Sequence, residues 1–79
     1  MTLRDFLKTM YIAGDVLIIS SNYKVADDEY EIYYKEGVRG QVDLIDIPYK
    51  DALLSNVDFF EVEDDGGVIV RIFTDYELR

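Results

Sequence analysis

The chain has no cysteine, no histidine, no tryptophan and a single proline. Without cysteine there is no disulfide framework, no thiolate zinc site and no cysteine nucleophile. Without histidine there is no Ser-His pair, no imidazole metal ligand and no ordinary proton switch near neutrality. Positive charge is scarce too: 8 lysines and arginines stand against 17 acids, a net charge of −9. No basic cluster is present, which excludes a basic nucleic-acid binder, and the net charge repels an anionic membrane surface. The longest aliphatic run, Val16-Leu17-Ile18-Ile19, falls far short of the ~20 residues that span a bilayer. The opening Met1-Thr2-Leu3-Arg4-Asp5 lacks the basic region and apolar run of a signal peptide, so a cytoplasmic location is expected.

What is present is apolar residues at 49% of a 79-residue chain. That content argues against a disordered acidic tail and for one small domain over residues 1–79. A chain this short buries only about 60% of its extended surface, so its core must be economical.

The first periodic signal is helical. Leu3, Phe6, Leu7 and Met10 recur at i, i+3, i+4 and i+7, with Thr2 as N-cap and Asp5 three residues on. The spacing predicts a helix from Leu3 to Met10 or Tyr11, ended by Gly14. Val16 to Ile19 is too short for a buried helix and reads as a strand covered on both faces. From Tyr30 the pattern alternates, placing Tyr30, Ile32 and Tyr34 on one face and Glu31, Tyr33 and Lys35 on the other. Gly37 to Gly40 is expected to turn, and Val42 to Ile45 to form a short extended piece. Pro48 suits the first turn of a second short helix reaching Ser55, with Ala52, Leu53 and Leu54 inward and Asn56 as its cap.

The C-terminal third reads as a β-hairpin. Val57 to Glu63 and Val68 to Phe73 flank Asp64-Asp65-Gly66-Gly67, and Asp-Gly is a strong turn signal. A three-residue loop at Asp65-Gly66-Gly67 sets Val62 opposite Val70, Phe60 opposite Ile72, Glu61 opposite Arg71 and Phe59 opposite Phe73. A two-residue loop would pair Phe60 with Arg71 and Glu61 with Val70, so side-chain matching favours the longer loop. The expected fold is α+β: a mostly antiparallel sheet of about four to five strands, with two short helices packed on one face.

Carboxylates are the abundant functional group. Asp27-Asp28-Glu29-Glu31 and Glu61-Glu63-Asp64-Asp65 form two acidic stretches, and neither has calcium-loop spacing. Acid pairs doing acid-base work need a cleft that separates two pKa values, which a domain of this size seldom has. Ser20, Ser21 and Ser55 have no histidine to activate them, and neither Gly37-Val38-Arg39-Gly40 nor Gly66-Gly67 forms a phosphate loop. No catalytic, cofactor-binding or metal-ligating residue is expected, and the chain is read as a non-enzyme.

Two surfaces stand out for binding. Tyr33 sits among polar neighbours as an exposed ring, and tyrosine is enriched in interface cores. Phe59, Phe73 and Ile69 share one face of the hairpin, which stays open to a partner, or to a second copy, if helices cover only the other face. The acids carry a further reading: carboxylates on alternate strand residues recur every ~6.6 Å and form a phosphate-like row that a basic groove would accept. The competing reading is that acidity keeps a small domain soluble.

The segments Thr2-Leu3-Arg4-Asp5-Phe6-Leu7, Val16-Leu17-Ile18-Ile19 and Gly67-Val68-Ile69-Val70-Arg71-Ile72 resemble short acidic proteins encoded by prophages and mobile elements of Gram-positive gut bacteria. Such genes include anti-CRISPR proteins. These share no common motif, so no functional residue is carried over by position. The resemblance implies an inhibitor acting in a bacterial host cell, which occludes the basic groove of a CRISPR effector or other nuclease and does not itself touch nucleic acid. Asp27, Asp28, Glu29 and Glu31 are the expected first contact, Asp64 and Asp65 the second, and Tyr33 the apolar anchor. Lys35, Arg39 and Lys50 interrupt the acidic surface. The alternative is a structural or accessory phage protein that dimerises through Phe59, Ile69 and Phe73.

Overall fold

The computed structural model describes residues 1–25 and 30–78. Its first element is α1, Leu3–Thr9. The Thr2 side chain caps it, accepting the Asp5 N–H at 3.2 Å, so one of the free N–H groups of the first turn is satisfied. Leu3 and Leu7 are fully buried, while Phe6 and Met10 complete the same apolar stripe.

The chain then enters β1, Ile12–Ile19, earlier than the sequence reading placed it. Gly14 does not end the helix; it lies inside this strand at φ 148°. A Cβ there would fall 2.6 Å from the Val68 carbonyl oxygen, so only glycine lets the two strands approach this closely. A 3-10 turn at Ser21–Lys24 follows, and then β2, Glu31–Gly40. The Gly37 to Gly40 segment is therefore strand, not turn.

The crossover from β2 also departs from expectation. Val42 to Ile45 forms no strand; Leu44–Asp46 is a 3-10 turn capped by the Asp43 side chain. The second helix is a short 3-10 segment, Lys50–Leu54, with no side-chain cap. Ala52 points inward as expected, but Leu54 is 71% exposed: three residues per turn swing it off the buried line that a 3.6-residue repeat would keep. Asn56, read as a helix cap, forms an antiparallel bridge with Thr2 instead.

The hairpin closes the fold with β3, Val57–Asp64, and β4, Val68–Thr74. Its register is the expected one, with Phe59↔Phe73, Phe60↔Ile72, Glu61↔Arg71, Val62↔Val70 and Asp64↔Val68.

The four strands form one sheet in the order β2-β1-β4-β3. The outer pairs are antiparallel, but the central pair β1 and β4 is parallel, so the sheet is mixed. The parallel pair follows from the crossover, which carries the chain from one edge of the sheet to the other before the hairpin folds back. Along that path Ile47 and Ala52 are fully buried, so the crossover and α1 share one side of the sheet. There they pack on Val16, Ile18, Val70 and Ile72, each fully buried aliphatic side chain contributing roughly 1.5–3 kcal/mol. The other side carries no α-helix among the described residues; only the Ser21–Lys24 turn reaches over one end of it.

The candidate partner-binding face

The uncovered side of the sheet is built from every second strand residue. Register sets three rows across it: Glu31–Ile19–Phe73–Phe59, then Tyr34–Leu17–Arg71–Glu61, then Asp15–Ile69–Glu63. The first row is apolar apart from Glu31. Phe59 stacks on Phe73, with centroids 4.3 Å apart and planes inclined by 15°, and Tyr23 meets Phe73 edge-on at 5.0 Å. Phe73 is left 9% exposed and Phe59 43% exposed. Phe73, expected to be open, is thus covered within its own chain by two rings, which reduces the apolar area left for a second copy.

The Ser21–Lys24 turn that delivers Tyr23 is tied to the C-terminal segment. Ser21 N–H donates to the Tyr76 carbonyl at 2.8 Å, and Leu78 N–H to Asn22 Oδ1 at 2.9 Å. The buried Thr74 hydroxyl donates to the Ile19 carbonyl at 2.9 Å, joining the same ends of β1 and β4.

Charge on these rows is mostly negative. Arg71 is their one cation and pairs with Glu63 at 2.6 Å, leaving Glu61, its cross-strand neighbour, exposed beside it. The Asp15 carboxylate accepts the Gly37 N–H at 3.0 Å. Tyr34 donates to Glu36 Oε1 at 3.3 Å, and its pKa is raised above 10.0 by desolvation and then by the Asp15 and Glu36 carboxylates. Beyond the rows, Lys24 lies 5.8 Å from the Tyr23 ring centroid and Arg39 pairs with Ala13.

The residues singled out in the sequence are dispersed. Asp27, Asp28 and Glu29 lie outside the described residues. Glu31 is exposed on the uncovered side, at the β2 edge. Tyr33 is not the exposed ring expected. A register shift between Ile18 and Ile19 makes Ile32 an extra residue in β2 and turns Tyr33 toward the helical side, half-buried against the core. Its pKa is raised, first by desolvation and next by Asp46, against the opposing charge of Lys35. Tyr34 takes the opposite side. Asp64 and Asp65 are exposed at the hairpin tip, on the far edge from Glu31, with Asp64 in register with the helical side. Glu31 and the Asp64-Asp65 pair therefore do not form one contact. Alternation along β3 puts Glu61 and Glu63 on the same face of the sheet as Glu31 and Asp15, at the opposite edge from Glu31, which the pairing register alone reveals.

A separate open cleft of about 690 Å³ is lined by Tyr49, Asp51, Asp75, Tyr76 and Glu77 among others. Three of its polar groups are engaged in the fold: the Tyr76 hydroxyl donates to Asp51 Oδ1 at 2.9 Å, and Asp75 Oδ1 accepts the Asn56 N–H at 2.8 Å. Among the described residues no group of three or more potential ligands is arranged to hold a metal ion, and no helix is long and apolar enough to cross a membrane. No family model, curated protein or solved structure matches the chain, so function is argued from the geometry.

Proposed function

We propose that this chain is a binding protein that occupies a basic groove of a nucleic-acid-binding partner, without catalysis of its own. A host defence nuclease of the CRISPR-effector kind is the partner to which the sequence resemblance leads. The observation that carries the reading is the grouping of Glu31, Asp15, Glu61 and Glu63 on the uncovered side of the sheet, with Arg71 as the one cation in those rows. Glu61 and Glu63 are two residues apart on one strand, about 6.6 Å, close to the repeat of backbone phosphates. Such an array steers association with a basic surface and competes with nucleic acid for it. Phe59 supplies an exposed ring beside the acids.

The test is a gel-shift competition: DNA binding by a basic effector is measured with increasing amounts of this protein at low and moderate salt. Inhibition is expected to weaken as salt rises. It should fall at least about tenfold when Glu31, Glu61 and Glu63 are together changed to Gln. A parallel variant, Asp27, Asp28 and Glu29 to Ala, measures the contribution of the other acidic stretch. Absence of inhibition at every salt concentration, with a salt-resistant dimer on gel filtration, would replace this reading with the accessory-protein one.

A further inference from the structure

The two edges of the sheet are finished differently: β2 is broken by two register shifts, whereas β3 runs in regular register beyond Phe59. After Val57, every residue of this strand from 58 to 64 is exposed, and among the described residues no strand lies beyond it in the sheet order. Alternate residues of an edge strand point their N–H and C=O groups outward, a template for another strand.

The beginning of this edge is already used in that way. Val57 N–H donates to the Met1 carbonyl at 2.9 Å and Leu3 N–H to the Ser55 carbonyl at 2.8 Å, around the antiparallel Thr2–Asn56 bridge. The chain thus pairs an extended segment of itself, residues 1–3, against residues 55–57 at the start of the edge.

We infer that residues 58–64 of β3 accept an extended segment of a partner protein by antiparallel strand addition, and that this segment alternates basic and apolar residues. The side chains along the edge define the alternation. Phe60 and Val62 face the helical side, both exposed, at 48% and 58%; Glu61 and Glu63 face the other side. A strand added here places apolar residues beside the first pair and Lys or Arg beside the second. A second copy of this chain fits poorly. Two β3 edges paired antiparallel about a twofold axis at residue 61, the middle of the exposed stretch, would set Glu61 against Glu61 and Asp58 against Asp64, between molecules each carrying −9, and like charges across strands are destabilising.

The inference rests on the basic-partner reading above but is tested separately. The probe is a blocked peptide of alternating lysine and valine, long enough to span residues 58–64. It is compared with the same peptide N-methylated at alternate residues, which keeps its charge but cannot complete a ladder. The expected result is binding that slows amide hydrogen exchange in residues 58–64 and weakens at least about tenfold on N-methylation. Binding should weaken by a similar factor in the Glu61→Lys, Glu63→Lys double variant, with thermal unfolding confirming its fold. Equal binding of both peptides without added protection in 58–64 would reduce the effect to charge attraction and overturn the inference. Protection of the same residues that rises with protein concentration alone would overturn it in favour of a second copy. Peptide binding by a protein that displaces no nucleic acid from a basic effector would remove the groove-occupying reading and leave this one standing; displacement without peptide binding would do the reverse.

Discussion

The two edge strands are nearly equal in length but not in what they contribute. The β2 strand sends Ile32 and Val38 into the core and departs twice from regular pairing with β1. It carries glycines at φ 64° and 115°. Its Lys35 pairs with Asp46 of the crossover at 3.4 Å. The β3 strand supplies no buried residue, and beyond the irregularity between Val57 and Phe59 it runs in regular register. The cause is the size of the covering layer. The one α-helix among the described residues has seven residues, about 10 Å of length, and a helix is roughly 10–12 Å wide. Four strands at ~4.8 Å spacing exceed that width. The crossover extends the cover toward β2, so the uncovered remainder falls on β3. A bulged, core-anchored edge resists pairing with other chains, whereas a regular exposed one invites it.

The sharpest way to break this comparison is to truncate one apolar residue on each edge. Ile32→Ala removes a side chain 3% exposed and is expected to cost about 3–4 kcal/mol through lost burial and a cavity. Phe60, despite its greater volume, is 48% exposed and meets the Phe6 ring at a centroid distance of 5.4 Å. Phe60→Ala should cost only about 1–2 kcal/mol, because half of its surface is already in water. Phe59→Ala belongs in the same range, since its stacking partner Phe73 keeps Tyr23 on its other side. Urea unfolding of the three variants checks the order. Losses at Phe60 equal to that at Ile32 would mean that β3 is as well covered as β2.

Between these extremes stands Gly14, where the β2–β1 irregularity meets the close approach of β4. Gly14→Ala is expected to cost about 2–3 kcal/mol, because the new Cβ is strained at positive φ and overlaps backbone. The 2.6 Å contact is with the Val68 carbonyl oxygen, which has no flexible end to give way. Gly66→Ala, at φ 75° with open space around it, carries the backbone strain without the overlap and should cost less. Thermal unfolding of the pair separates the two effects.

Local chemistry made part of this structure legible in the sequence. The Thr2 cap and the 3, 6, 7, 10 spacing locate α1, because both are properties of one segment. The hairpin register follows from matching charge to charge and apolar to apolar across a short loop, and Asp-Gly-Gly supplies that loop. The parallel placement of β4 beside β1 was not legible, since it depends on where a crossover of irregular turns sets the chain down. Tyr33 and Tyr34 exchanged sides for a related reason: one inserted residue in a strand reverses every later position, and nothing in Glu31-Ile32-Tyr33 marks the insertion. Phe60 stands opposite the buried Ile72 as expected, yet is itself exposed; pairing reports a neighbour, whereas burial also needs a layer above it. For the candidate site, Glu31 was named as a contact and Glu61 and Glu63 as part of an acidic stretch, but Asp15 was not, and the face all four share exists only once the strands are in register.

The same insertion yields the smallest and most local expected effect. Tyr33 and Tyr34 leave β2 on opposite sides, and both are raised above 10.0, chiefly by desolvation and then by carboxylates: Asp46 and Asp43 at Tyr33, opposed by Lys35, and Asp15 and Glu36 at Tyr34. A tyrosine whose folded pKa exceeds its unfolded value keeps its proton longer when folded. Its stabilising contribution is therefore intact below the unfolded value near pH 10 and is lost as pH rises through the folded one. Alkaline titration by phenolate absorbance should show Tyr33 and Tyr34 ionising above the usual value, and unfolding free energy should decline over the same interval. Asp46→Asn should lower the pKa of Tyr33 and leave Tyr34 unchanged, while Glu36→Gln should do the converse. If both tyrosines responded to Asp46→Asn, they would lie on one side of β2, and the insertion that distinguishes this edge from β3 would be absent.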